Sequence, residues 1–145
     1  MKSAAYSISG RALRRRFGGS VLEMVLTLTI LLNLTFGAVE FGYYYFCKNT
    51  IESASREGAR AAIVSGAADS DVTTAVNAVL TAAGLTPANF TTSISPDLTT
   101  NPTAGTSITI TITGNWGTVG SGFRPLGIIG SNKTLTGASV MRKEG

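Results

Sequence analysis

An apolar run near the N-terminus is the feature that most constrains this chain. No charged residue occurs from Met24 to Val39, and Glu23 and Glu40 bracket the run. As a helix, residues 24–39 would extend about 24 Å, and apolar residues on either side, through Cys47, make it long enough for a hydrocarbon core of roughly 30 Å. The aromatic residues between Phe41 and Phe46 then suit the far interface. The sequence therefore predicts a membrane-spanning helix.

The basic charge is concentrated ahead of this run. The chain has 12 Lys+Arg against 8 Asp+Glu, for a net charge of +4, but residues 1–18 contain Lys2 and four arginines and no acid. Cations that flank a membrane segment tend to stay in the cytoplasm. A protein that binds nucleic acid instead carries its lysines and arginines on one face of a folded domain. We therefore expect a cytoplasmic N-terminus, an extracytoplasmic head, and no nucleic acid as a partner.

A cleavable secretory signal is the competing interpretation of the same segment. Signal cleavage requires small residues before the cut. Here Phe36-Gly37-Ala38 puts a bulky residue three positions before the suitable site, and Glu40 follows closely. This spacing disfavours a signal peptide.

The junction between the basic segment and the apolar run resembles a type IV prepilin processing site. A basic leader, residues 1–18, ends in Gly18, and Glu23 stands five residues later. The resemblance implies that a prepilin peptidase cuts after Gly18, which makes Gly19 the new N-terminus. A carboxylate within the bilayer costs roughly 2.5–3.5 kcal/mol at the centre, and a nearby cation offsets that cost. Glu23 could reach the new amine of a neighbouring subunit and fix its register, or simply mark the water boundary.

The helix is predicted to continue beyond the membrane. Lys48, Glu52, Arg56 and Arg60 recur every four residues, a spacing that places opposite charges on one helical face. Small residues fill the remaining positions, and no proline precedes Pro87. We expect one helix from about Ser20 to about Ser65, stabilised by packing because its outer half would not be stable alone.

Two segments of this helix resemble the TadE-like family of tight-adherence pilus proteins. The first is E-F-G after the apolar run, and the second is R-E-G-A-R some fifteen residues later. The motif residues are Glu40, Phe41, Gly42, Arg56, Glu57, Gly58 and Arg60. Residues 123–126 (F-R-P-L) and the end of the chain are also similar to family members. The resemblance implies a pilin-like or pseudopilin subunit that interacts with other pilin subunits, a prepilin peptidase and an inner-membrane assembly platform.

The remaining chain predicts a small α+β head. Residues 72–83 show helical periodicity, residues 90–95 and 134–142 suit strands, and residues 106–113 alternate Thr with Ile. The fold class is therefore α+β: a long N-terminal membrane-spanning helix continuing into a head with a second helix and a three-stranded antiparallel sheet. The predicted divisions are a leader (1–18), a transmembrane or assembly helix (19–47), its extracytoplasmic continuation (48–66) and the head (67–145).

Residues for catalysis are scarce. The chain has no His, which removes the commonest general base, and its one cysteine excludes an internal disulfide. The glycine-rich stretch 114–130 lacks both common phosphate-binding patterns, so we expect a flexible loop. We expect neither an enzyme nor a cofactor or metal. Cys47 is expected to be a buried small hydrophobe, with an intermolecular disulfide as the alternative.

Together these features predict a structural pilus subunit, major or minor, that is held in the bacterial inner membrane, contacts lipid through its apolar helix and later enters an extracellular filament used in surface adhesion. Two alternatives remain open. One is a membrane-anchored envelope protein that binds a partner without polymerising, and the other is a pseudopilin of a secretion system.

Overall fold

The computed structural model describes residues 16–144, so the structure of most of the basic leader lies outside the described part. Three helices, α1 (Arg16–Ile63), α2 (Asp69–Ala82) and the short α3 (Trp116–Val119), accompany three strands, β1 (Phe90–Ser95), β2 (Ser107–Asn115) and β3 (Thr134–Arg142). Two compact units share the chain, one up to Thr35 and the other from Phe36 onward. The predicted α+β fold class is confirmed.

Helix α1 is 48 residues long and belongs to both units. It lacks an internal proline, and three polar side chains in the apolar run bond to carbonyls of the same helix. It ends at Ile63, two residues earlier than expected, and Gly66 turns the chain with φ = 79°. Glycine adopts that left-handed conformation without the Cβ penalty of other residues.

Helix α2 begins at Asp69 after Ala68, which has no side-chain acceptor to cap it. The carboxylate of Asp71 instead accepts a hydrogen bond from the Ala68 backbone N–H at 2.9 Å. Val72, Val76 and Leu80 are buried, and their spacing gives α2 one apolar face. The predicted face of this helix is thus directed into the protein.

The three strands form an antiparallel sheet in the order β1-β2-β3. In the middle strand, Ile108, Ile110 and Ile112 are buried, while the alternating threonines are half-buried on the other side. Ile110 pairs with Ile94 of β1 and with Ser139 of β3. This is the period of two that places one face of a strand on a core. The isoleucine face therefore needs a cover.

The second half of α1 and helix α2 supply that cover. The core combines residues of all these elements. Its buried members include Ile51, Ala54, Ala59, Ala62, Val72, Val76, Leu80, Ile108, Ile110, Ile112, Trp116 and Leu135. The compact unit containing the head begins at Phe36, well before the sequence-based division near residue 66. Where the membrane ends along α1 stays a prediction.

A turn between β1 and β2 is fixed by Asp97. Its Oδ1 accepts hydrogen bonds from the Thr99 backbone N–H at 2.8 Å and from the Thr99 hydroxyl at 2.6 Å. These bonds favour the ionised carboxylate and hold the pKa of Asp97 below its usual value. Asp69 of α2 also accepts a bond from the Leu98 backbone N–H at 3.3 Å, which joins the turn to α2.

Two glycines allow the elements of the head to approach closely. A Cβ atom on Gly58 of α1 would lie 2.7 Å from Val76 Cγ2, within the contact between α1 and α2. A Cβ on Gly137 of β3 would lie 2.8 Å from both the carbonyl carbon and the oxygen of Ile51. At Gly137 the obstacle is backbone, which cannot move aside as a side chain can. The sheet lies on α1 only because β3 has no side chain there.

Replacing Gly137 by Ala should therefore destabilise the head. The added methyl group would force β3 away from α1, and overpacking of this kind typically costs about 1–3 kcal/mol. The measurement is the free energy of unfolding of the full chain in detergent, followed by fluorescence of the single tryptophan, Trp116, which is buried. Gly130→Ala is the matched control, since no atom lies within 4 Å of a Cβ there. Equal stability of the two variants would contradict the close approach.

Candidate functional site

The apolar run of α1 is exposed along its length in the unit that ends at Thr35. Its large side chains are Val21, Leu22, Met24, Val25, Leu26, Leu28, Ile30, Leu31, Leu32 and Leu34, all substantially exposed. This helix is long and apolar enough to cross a membrane. An uncovered surface of this kind is costly in water and marks a membrane or protein contact.

Three of the four polar side chains within residues 24–39 are bonded to the helix itself. The Thr29 hydroxyl donates to the Val25 carbonyl, the Asn33 amide to the Thr29 carbonyl, and the Thr35 hydroxyl to the Leu31 carbonyl, each at 2.8 Å. Bonds of this type satisfy polar groups that would otherwise face hydrocarbon unpaired. The three residues are therefore compatible with a lipid environment or with a packed helix bundle.

The predicted processing site lies at the start of the described helix. Gly18 and Gly19 are helical and exposed, and nothing lies within 4 Å of a Cβ placed on either. Glu23 follows one turn later on the same exposed helix. Arg14 and Arg15 of the leader lie outside the described residues. Cleavage after Gly18 and the register role of Glu23 stay predictions.

Glu40 has a setting that the sequence did not indicate. Although it follows the apolar run, its side chain is completely buried. Its Oε1 accepts a hydrogen bond from the Ile129 backbone N–H at 2.9 Å, and its Oε2 accepts one from the Leu126 N–H at 3.4 Å. One carboxylate thus holds two backbone groups of the loop between α3 and β3. We call this loop, residues 121–130, the clamped loop.

The clamped loop has a second tie of its own. The Arg124 Nη2 atom donates to the Ile129 carbonyl at 3.1 Å, so both backbone polar groups of Ile129 are bonded to side chains. Phe123, Arg124, Pro125 and Leu126 form the F-R-P-L segment noted in the sequence. The structure therefore joins this segment to E-F-G, although they are more than eighty residues apart. Within E-F-G, Phe41 and Gly42 are exposed.

Aromatic side chains continue the contact between α1 and the head. The Tyr43 ring lies 4.8 Å from the Phe123 ring and 5.9 Å from the Trp116 ring, measured between centroids. Tyr44 meets Trp116 edge-on at 5.2 Å. Aromatic pairs at these distances stabilise a fold by more than the burial of their apolar surface alone. The interpretation of all the tyrosines as a membrane belt therefore needs correction: Tyr43 and Tyr44 pack on the head, whereas Tyr45 is exposed.

The R-E-G-A-R segment divides between the two sides of α1. Gly58 and Ala59 are buried against the head, while Arg56, Glu57 and Arg60 are exposed. Arg60 Nη1 lies 3.4 Å from Glu57 Oε2. This pair is the one salt bridge among the described residues 16–144. An exposed pair of this kind contributes little to stability. The small residues of the segment therefore serve packing.

Cys47 lies in the core with no exposed surface. This is the environment expected for a small hydrophobe. A disulfide to another subunit would require this part of the core to open. The disulfide alternative stays untested.

Among residues 16–144, no three His, Cys, Asp or Glu side chains come together as a metal site would require. The clamped loop is held by protein groups, and its backbone N–H groups at Leu126 and Ile129 are used by Glu40.

Comparison with known families supports the resemblance found in the sequence. Residues 18–60 match the TadE family model, described as TadE-like protein. Over that segment the chain is similar to TadE-like proteins. The match contains Gly18, Glu23, Glu40 and the R-E-G-A-R segment, all within α1, and does not reach α2 or the sheet. Neither the curated proteins nor the solved structures gave a match.

The sequence predicted a flexible loop at 114–130 and missed the contact between Glu40 and the clamped loop. The structure instead continues β2 to Asn115 and forms α3 at Trp116–Val119. Two signals could have suggested the contact. Glu40 is an acid between apolar and aromatic residues, and such an acid needs partners. In addition, the F-R-P-L segment interrupts the glycines with bulky residues.

Removing the Glu40 carboxylate should release the clamped loop. In Glu40→Ala the N–H groups of Leu126 and Ile129 lose their acceptor, and an unpaired buried donor costs roughly 1–3 kcal/mol. We expect hydrogen exchange in residues 124–130 to accelerate by about tenfold or more, measured by mass spectrometry on the full chain in detergent.

Glu52→Ala is the matched control, because Glu52 is an acid on the same helix that is only half-buried. Its exchange pattern in residues 124–130 should equal that of the wild-type chain. Unchanged exchange in Glu40→Ala would show that the carboxylate does not hold the loop.

Proposed function

We propose that this chain is a pilin-like subunit, major or minor, of a tight-adherence pilus. The observation that carries the proposal is that the two parts of α1 have different surroundings. Its first part exposes a continuous apolar surface, while its second part forms the core of the head. The TadE match to residues 18–60 supports the same assignment.

The apolar surface suits two successive environments. Before assembly it would be surrounded by lipid of the bacterial inner membrane, with the N-terminus in the cytoplasm and the head outside. After assembly it would be surrounded by the same surface of other pilin subunits, and the filament would support adhesion. Small and self-bonded polar residues such as Thr29 favour close helix packing in the second state.

Glu23 is the proposed register residue. It is exposed on a helix whose neighbouring side chains are apolar, so its carboxylate needs a cationic partner once water is excluded. Cleavage after Gly18 by a prepilin peptidase would create an α-amino group on Gly19 of each subunit. Pairing of this amine with Glu23 of a neighbour would fix the axial offset, and an assembly platform in the inner membrane would deliver the subunits.

Cleavage predicts the N-terminus of the assembled protein. We expect N-terminal sequencing of protein from sheared filaments to begin at Gly19, because the leader is removed after Gly18. A start at Met1 would refute processing, and a start near Val39 would indicate an ordinary secreted protein. A chain that is cleaved but never found in filaments would favour the non-polymerising envelope protein or a secretion-system pseudopilin.

The register role predicts a selective defect in Glu23→Ala. Membrane insertion should be intact, because alanine is more apolar than glutamate, while filament yield should fall strongly since the amine of the neighbour loses its partner. Both are measured in the same cells, by membrane fractionation and by shearing. Glu52→Ala, which removes an acid of the same helix outside the apolar run and outside both motif segments, is the control and should assemble normally. Normal filaments from Glu23→Ala would refute the role.

A further inference from the structure

The clamped loop presents apolar side chains to its surroundings. Phe123 and Ile128 are each 53% exposed, and Leu126 is 38% exposed. Within the loop, Arg124 is the one charged residue. Apolar groups clustered at an exposed loop are costly in water and indicate a contact.

Contacts with Gly37 and Glu40 fix the position of the clamped loop along the axis of α1. A Cβ atom on Gly37 would lie 3.3 Å from Ile128 Cδ1, and Gly37 belongs to the charge-free run that ends at Val39. Glu40, one turn later, accepts hydrogen bonds from the loop N–H groups of Leu126 and Ile129. A groove of about 380 Å³ lies between the loop and α1, and it is lined by Phe36, Val39 and residues 121–125. The apolar loop therefore lies beside the last turn of the charge-free run.

The bonding of the loop backbone suits a place with little water. Irregular backbone is tolerated at membrane depth only where its polar groups are satisfied by protein. Glu40 accepts from the N–H groups of Leu126 and Ile129, and Arg124 donates to the carbonyl of Ile129. The carboxylate itself is removed from solvent by the same contacts. Thus the Glu40 carboxylate has no surface in contact with the surroundings beside this loop.

We propose that the clamped loop is a membrane-interface contact: Phe123, Leu126 and Ile128 enter the outer interface of the bilayer beside α1 in the unassembled subunit. The proposal rests on the membrane anchoring in the proposed function. Lipid is the favoured occupant because the loop packs beside the charge-free run itself, so a bilayer that covers residues 24–39 also reaches Ile128. The loop carries no acid that an anionic lipid surface would repel.

The contact would also lengthen the apolar surface of the anchor. Residues 24–39 alone are short for a hydrocarbon core. With Glu40 covered, exposed apolar groups continue from Val39 to Phe41 and, through the loop, to Phe123 and Ile128. The head would then rest on the membrane surface instead of being separated from it by exposed helix.

The experiment places spin labels in the full chain reconstituted into vesicles of phosphatidylethanolamine and phosphatidylglycerol. Single variants Phe123→Cys and Ile128→Cys report on the loop, and Leu31→Cys reports on the apolar run. Val140→Cys is the matched control, because Val140 is an equally apolar side chain, 60% exposed on β3. Collision with dissolved oxygen indicates lipid, and collision with a water-soluble nickel chelate indicates water.

Cys47 can stay in these variants, because it is buried, and the labelled wild-type chain measures its background. If that background is high, Cys47→Ala replaces it, with Trp116 fluorescence as the check of folding. We expect labels at residues 31, 123 and 128 to collide mainly with oxygen and the label at 140 mainly with the chelate.

The outcomes separate this inference from the proposed function. Lipid at residue 31 with water at 123 and 128 would overturn the membrane contact and leave the anchor intact. Water at residue 31 would overturn both. Labels at 123 and 128 that meet water in vesicles but are shielded from both reagents in sheared filaments would identify the loop as a subunit contact, and would likewise overturn the lipid proposal.

Discussion

The isoleucine face of the sheet can be buried only because α1 lies directly against it. A sheet that is apolar on one face must bury that face against another element. The contact is close enough that Gly137 of β3 has no room for a Cβ beside the Ile51 backbone, and Gly58 has none beside Val76. The head therefore depends on the second half of α1 for its core.

Glu40 extends this dependence to the loop between α3 and β3. A buried carboxylate is costly unless hydrogen bonds compensate it. Here the two backbone N–H groups that compensate it also fix the conformation of the loop, and the Tyr43 ring packs against the Phe123 ring beside it. The loop is thereby attached to α1 at the end of the apolar run.

Much of the architecture could be predicted from local patterns. The Thr/Ile alternation of residues 106–113 indicated β2, and the spacing of Val72, Val76 and Leu80 indicated α2, because both patterns reflect which side of an element is buried. The TadE-like resemblance could also be recognised in residues 18–60, because the residues that carry it are contiguous. By contrast, the partners of Glu40 are 86 and 89 residues away, and no local pattern encodes such a contact.

The sequence by itself determined the single apolar run, the basic segment before it, the α+β order of elements and the likeness to TadE-like proteins. The first three follow from composition and periodicity, and the likeness follows from a match over residues 18–60; all are properties of neighbouring residues. Only the tertiary structure decided that the head unit begins at Phe36, that Tyr43 and Tyr44 pack on Trp116, and that Glu40 holds the clamped loop. Those features depend on which distant backbone groups meet, and close packing of the whole chain sets that geometry.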